Sequence, residues 1–375
     1  MNFALNEDQR MLVDAAIAFT RKQSPVARMR KLRNDPTGWS PEVWCQMGEL
    51  GWLGLPFPEA AGGIGGSFVD LALVLEQLGQ TLVPEPIIPS LVAGMAIVKA
   101  GDAAQQQAWI APMVEGRSSL ALAWAESDGR YDPGHVTTRA ERTPAGFRLT
   151  GHKRFVLDGH VAARLVVSAR DADADAVSLF VVDAGAPGVR IRPIRTLDGR
   201  RAALVELEVE VAADRRLAGD GLPALVYALD VGAAAACAEG VGIMRAVLAM
   251  TTEYLRTREQ FGVKIGSFQV LQHRAVDMFI ETELAYSAML AAAIRIDGDD
   301  PAERTAAVTS AKIQLAESGR YVTQEAIQLH GGIGITDEHD VGLYFKRMLA
   351  LNAVFGDAEH HLARFAARPD FLPGV

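Results

Sequence analysis

The sequence predicts an α+β multidomain fold for this 375-residue chain. It comprises an N-terminal all-α domain, a middle antiparallel β-barrel or sandwich, and a C-terminal four-helix-type bundle. Three observations predict it. Apolar residues recur at helical spacing through the first third of the chain. Near Arg117 the period changes to alternation, in short runs separated by Gly, Asp and Pro turns. From Leu222-Pro223 onward long helical stretches return. The domains that follow are residues 1–116, 117–220 and 221–375.

Asn6 before Glu7-Asp8-Gln9 reads as an N-cap with acid in the first turn, and Met11, Leu12, Ala15, Ala16 and Phe19 supply the apolar face. A second helix is predicted from Ser40, with Pro41 at its first position, to about Leu50. Residues 54–67, GLPFPEAAGGIGGS, read as irregular. Helix returns over Asp70–Leu78 with Gly79 as its C-cap, then over 90–100 and 103–114. Strands are predicted at 118–126, 135–142, 163–170, 177–183, 189–196 and 203–212. The last is the clearest. Val205, Leu207, Val209 and Val211 fall on one face and Glu206, Glu208 and Glu210 on the other, as in a half-buried antiparallel strand. No crossover helices separate these runs, which disfavours a parallel Rossmann sheet. Helices at 223–258, 268–296, 301–329, near 340–350 and at 357–366 complete the chain, with Pro301 marking a start.

Composition narrows the function. Asp plus Glu number 46 against 37 Lys plus Arg, a net charge of −9, with no basic stripe, so nucleic acid is not an expected partner. Hydrophobic residues at 49% and charged residues at 22% exclude a disordered or fibrous class. Cys45 and Cys237 form no CxxC and read as thiols of a reducing compartment, so the expected location is cytoplasmic. The first residues carry no basic stretch before an apolar core and do not read as a signal peptide. The apolar run Ala228–Met250 holds Asp230, Glu239 and Arg245, so a buried helix is expected there and no membrane span. Glu359, His360 and His361 do not read as a metal site, because adjacent helical residues point apart.

Three segments stand out. Tyr254–Gln272, YLRTREQFGVKIGSFQVLQ, reads either as a solvated helix connection or as an anion site. In the second reading Arg258 offers a forked donor and Phe261 a stacking surface. Gln328–Thr336, QLHGGIGIT, reads either as a glycine C-cap or as backbone that a ligand can approach closely. Neither holds a GxGxxG after a strand. The glycine-rich stretch from Leu55 to Gly66 lacks the Lys-Ser/Thr of a phosphate loop, which excludes a nucleoside triphosphate site.

Together, in this order on an α–β–α chain, these segments resemble the acyl-CoA dehydrogenase family over essentially the whole length. GLPFPEAAGGIGGSFVDLALVLEQLG is similar to the family's glycine-rich loop and helix, and residues 122–126 and 149–159 to the strands flanking the flavin. YLRTREQFGVKIGSFQ and QEAIQLHGGIGIT are similar to its C-terminal signatures. The resemblance implies FAD as cofactor, an acyl-CoA thioester as substrate, α,β-dehydrogenation to the enoyl-CoA, an oligomer, and an electron-transfer flavoprotein as acceptor. It also implies that Arg258, Phe261 and Gln269 bind the pyrophosphate and adenine end of a neighbouring subunit's FAD, with Gln328, Leu329, His330, Gly331 and Gly332 lining the same region.

The chain departs from the family at its base. Phe355 and Gly232 stand at the two usual positions of the carboxylate, and Ala233 replaces an arginine that often follows. Glu239, in the apolar run AAAACAEGVG about two turns beyond Gly232, is the catalytic candidate that remains, against the alternative of a carboxylate paired with an arginine of the bundle. Asp357 reads as a helix cap. Ala125-Glu126-Ser127-Asp128-Gly129 is an altered form of a flavin-side segment, and Phe155 stands where a tryptophan is frequent. Two functions are therefore expected: a dehydrogenase in its own right, or an FAD-binding partner subunit whose base lies on an unlike family chain, as in steroid degraders.

Overall fold

Asn6 opens the first helix as expected. In the computed structural model, which describes residues 4–368 and 371, its side chain accepts from Gln9 N, and the Gln9 side chain accepts from Asn6 N, a closed capping box. In chain order the helices before the strands are α1 (Glu7–Gln23), α2 (Val26–Leu32), α3 (Pro41–Glu49), α4 (Phe68–Gly79), α5 (Ile87–Ala100) and α6 (Ala103–Val114). The strands are β1 (Leu120–Ala123), β2 (Arg139–Thr143), β3 (Gly146–Leu157), β4 (Arg164–Asp171), β5 (Ala176–Asp183), β6 (Val189–Arg195) and β7 (Arg201–Ala212). The helices α7 (Gly221–Thr257), α8 (Gln269–Ile296), α9 (Pro301–His330), α10 (Val341–Ala353) and α11 (Ala358–Ala366) follow, with a two-strand hairpin, β8 (Glu259–Gln260) and β9 (Val263–Lys264), between α7 and α8.

Two compact units lie within residues 1–31, 68–83 and 233–375, and within 32–67 and 84–232. They cut across the three segments read from the sequence, because α7 runs unbroken through a unit boundary and α1 and α4 group with the C-terminal helices.

In the β-containing unit the strand order is β1-β4-β2-β3-β7-β6, with β5 on the other side of β4. The β3–β7, β6–β7, β2–β3 and β4–β5 pairs are antiparallel, but β1 and β2 each pair parallel with β4, a feature the antiparallel expectation lacked. β3 is marked by the family resemblance at 149–159 and not by periodicity, because charged residues and Gly151 interrupt its alternation. β7 keeps the expected pattern: Val205, Leu207 and Val209 are buried and the three glutamates exposed. They pack with Phe147, Leu149, Leu165, Val167, Phe180 and Val182 into one core, in which the Phe147 and Phe180 rings meet edge-on at 5.2 Å.

In the helical unit α9 packs against α8, α10 and α11. Gly79 closes α4 from inside and is not its left-handed cap; the positive φ comes at Leu82. The glycine is needed for a different reason. A Cβ at Gly79 would lie 2.3 Å from Glu239 O, and one at Gly242 would lie 1.9 Å from Glu76 O, so α4 and α7 cross backbone to backbone. The apolar part of α7 is long enough to cross a membrane, but 72% of that window is buried inside the protein. The α2 helix carries no clear sequence signal: at seven residues, with three charged side chains among them, it shows too short an apolar period.

Candidate functional site

The two C-terminal motifs meet at one end of the helical unit. α7 ends at Thr257, and Glu259–Lys264 turns through Phe261 (φ +56) and Gly262 (φ +80), two consecutive left-handed residues that match a type I′ hairpin. This lifts the Phe261 ring into the open, 91% exposed, with the Phe268 ring 6.3 Å away. Arg258, Gln269 and Gln328 are exposed at the same end, while Leu329 is buried. The link between the motifs is Tyr254, whose ring lies 4.6 Å from that of His330; the His339 ring also lies against His330, tilted, at 4.5 Å. His339 carried no sequence signal, since only the fold brings it there.

His330 Nδ1 donates to Ala326 O at 2.7 Å, as the last-turn side chain of α9. That leaves Nε2 as an acceptor, and it is buried without a partner. Burial holds the imidazole pKa below its ordinary value, so the ring is neutral near pH 7. Beside it Gly331 takes φ +61, and nothing lies within 4 Å of where a Cβ would stand on Gly331 or Gly332. An orphaned acceptor, open backbone, an exposed guanidinium and an exposed ring suit an adenine dinucleotide, which brings amine and hydroxyl donors, a doubly charged pyrophosphate and a flat ring.

The expected base positions hold no carboxylate free to act. Glu239, 5% exposed, accepts from Arg347 Nε at 2.7 Å and Nη2 at 2.8 Å. Both oxygens are occupied by one guanidinium from α10, so taking a proton would break the pair. Arg347 lies more than a hundred residues along the chain, so this pairing could not be read from spacing. Gly232 sits within α7 and offers no side chain. Phe355 occupies a left-handed position (φ +57) between α10 and α11, a conformation that a bulky residue rarely adopts. The turn is held from below. Buried Lys312 donates to Leu351 O at 2.7 Å and Val354 O at 3.0 Å, and burial pushes its pKa down to about 8. Asp357 accepts from His360 N and caps α11. Asp230, which sequence reading passed over as a candidate, is fully buried in α7 two residues before Gly232.

His361 closes the same turn, its Nε2 donating to Phe355 O at 3.0 Å. Burial, then the charges of Lys312 and His360, pushes its pKa down to about 3 from an ordinary 6.5. The unfolded chain therefore binds this proton more readily than the folded one. The stabilisation is fully present above about pH 6.5 and is lost as pH falls toward 3. Melting curves between pH 7 and 4 should show the wild type losing stability more steeply than His361→Asn. Parallel curves for the two proteins would contradict the assignment.

In the β-containing unit the altered segment after β1 is anchored by charge. Lys153 on β3 is buried and donates to Glu126 at 2.7 Å and to Ser168 Oγ at 2.9 Å. A cleft of about 760 Å³ opens beside it, lined by Glu126, Ser127, Asp128, His135, His152 and Arg154 among others. Among the described residues no group of three or more His, Cys, Asp or Glu could hold a metal ion.

Comparison with known proteins places these features in one family. Models of the acyl-CoA dehydrogenase N-terminal, middle and C-terminal domains match residues 6–117, 121–211 and 219–369. Acyl-CoA dehydrogenase FadE27 of Mycobacterium tuberculosis is 32% identical over 331 residues, 86% of either chain. A probable acyl-CoA dehydrogenase of Bacillus subtilis, YngJ, is 30% identical over 91% of this chain and 92% of its own. The solved ChsE4-ChsE5 complex from Mycobacterium tuberculosis superposes with a TM-score of 0.90 at 28% identity, covering all of both chains. The chain belongs to the acyl-CoA dehydrogenase family.

Proposed function

We propose that this chain is an FAD-binding subunit of a mixed acyl-CoA dehydrogenase complex, in which α,β-dehydrogenation of an acyl-CoA thioester draws its base from an unlike family chain. The observation that carries this reading is the Glu239–Arg347 pair: the one candidate carboxylate left by Phe355 and Gly232 is held by a buried guanidinium. The α8 side chains Val276, Phe279, Ile280 and Leu284, an i, i+3, i+4, i+8 set, are about half exposed and form an apolar stripe suited to a subunit contact. Bound flavin supplies hydride acceptance at the β-carbon. Arg258 would neutralise its pyrophosphate, the Gly331-Gly332 backbone would approach it closely, and His330 Nε2 would accept from an amine or hydroxyl of its nucleotide end. An electron-transfer flavoprotein is the proposed acceptor and the cytoplasm the proposed location.

A second reading is a dehydrogenase in its own right, with Asp230, buried in α7 two residues before Gly232, as the carboxylate to test. Anaerobic addition of acyl-CoA to the flavin-loaded chain separates them. The first reading expects no bleaching of the flavin by the lone chain and bleaching once a base-bearing family chain is added. Bleaching by the lone chain that is lost in Asp230→Asn would establish the second.

A further inference from the structure

Two buried charges in the β-containing unit have no part in the reading so far. The Lys153 and Glu126 side chains are only 0% and 3% exposed, at a depth where an apolar pair of equal volume would pack at least as well. Their partners show what the charges accomplish. Besides Glu126 and Ser168, Lys153 Nζ donates to Trp124 O at 3.3 Å, and the backbone N of the next residue, Arg154, donates to Ala125 O at 2.8 Å. The irregular stretch 124–126, which leaves β1, is thereby tied to β3. Glu126 in turn accepts from the backbone N of Thr137 at 2.6 Å and of Thr138 at 3.1 Å, and from both threonine hydroxyls. The network leaves no oxygen of this carboxylate idle, the condition under which a buried polar cluster fixes one conformation.

The strain lies next to the anchor. The register of β3 on β7 slips between Lys153 and Val156, and within that slip Phe155 takes φ +54 with its ring 46% exposed. Bulky residues stay in the left-handed region only where the surroundings over-determine them, and such outliers concentrate at ligand sites. The cleft described above is lined by Glu126 of this anchor and by Arg154, the residue before Phe155.

We propose that Lys153 and Glu126 are positioning residues for the flavin ring: their buried pair holds the backbone of 124–126 and the ring of Phe155 in the pose the isoalloxazine meets. This rests on the FAD reading given above. The test uses the full chain carrying Lys153→Met with Glu126→Gln, which removes both charges together, and Ser168→Ala, which removes one acceptor of Lys153 without touching a charge. FAD itself is the probe.

In the double variant the amides of 124–128 and 154–156 should exchange about tenfold faster while β4 and β5 keep their protection. FAD affinity should fall by about tenfold and the visible flavin band should shift, and Ser168→Ala should move both in the same direction by less. Unchanged local exchange, or faster exchange with flavin affinity and spectrum unaltered, would overturn the proposal. If the double variant does not fold, Ser168→Ala decides by the same two readouts. A wild-type chain that takes up no FAD in any assembly defeats the functional reading instead, and hydrogen exchange still decides whether the clamp exists.

Discussion

Glu239→Ala is expected to destabilise the helical unit by about 3–5 kcal/mol while leaving the chemistry of the complex intact. Removing the carboxylate takes its bidentate partner from the Arg347 guanidinium, itself only 8% exposed. The cost is that of a buried charge losing a bidentate carboxylate, and it exceeds the worth of the pair. Replacing both partners, Glu239→Met with Arg347→Met, should recover most of the loss, because an apolar pair of similar volume needs no desolvated charge. Denaturant titration of the three proteins measures this. A Glu239→Ala protein within about 1 kcal/mol of wild type that no longer supports flavin reduction would make Glu239 the base after all.

Arg258→Ala is expected to weaken FAD binding by about 10- to 100-fold, with little change in melting temperature. A charge-assisted contact to a pyrophosphate contributes about 1.5–3 kcal/mol. Arg258 is exposed at the end of α7, so its loss leaves no buried group unpaired in the free chain. The salt dependence of FAD binding should also fall, since one fixed positive charge no longer meets the phosphates. Arg258→Lys should restore only part of the affinity, because an ammonium keeps the charge without the planar fork. An alanine variant that binds FAD as tightly as wild type would remove Arg258 from the site.

Much of this was legible in the sequence. Helix starts were read from local chemistry: Asn6 with Gln9, Ser40 with Pro41, and Asp300 with Pro301 each place a cap within a few residues. The strict alternation of β7 gave its burial directly. The exposed tip at Phe261-Gly262 and the open backbone at Gly331-Gly332 were also marked, because glycine spacing is a local signal. What stayed hidden depends on contacts distant in sequence. Gly79 looks like a cap until Glu239 O is seen against it. Pairing of Glu239 with a bundle arginine was one of its two readings, but which arginine depends on the fold, which brings Arg347 from α10; Lys153 looks like a surface residue of β3 until Glu126 and Ser168 close around it. β3 shows only through the family resemblance, because its middle carries Gly151, His152 and Lys153, which break the period that marks a strand.

Titration of FAD into the chain, alone and with a base-bearing family partner, tests the central claim most directly. The account predicts saturable binding with a Kd on the order of micromolar or tighter, weakened by Arg258→Ala. Failure of FAD to bind in either preparation would contradict it.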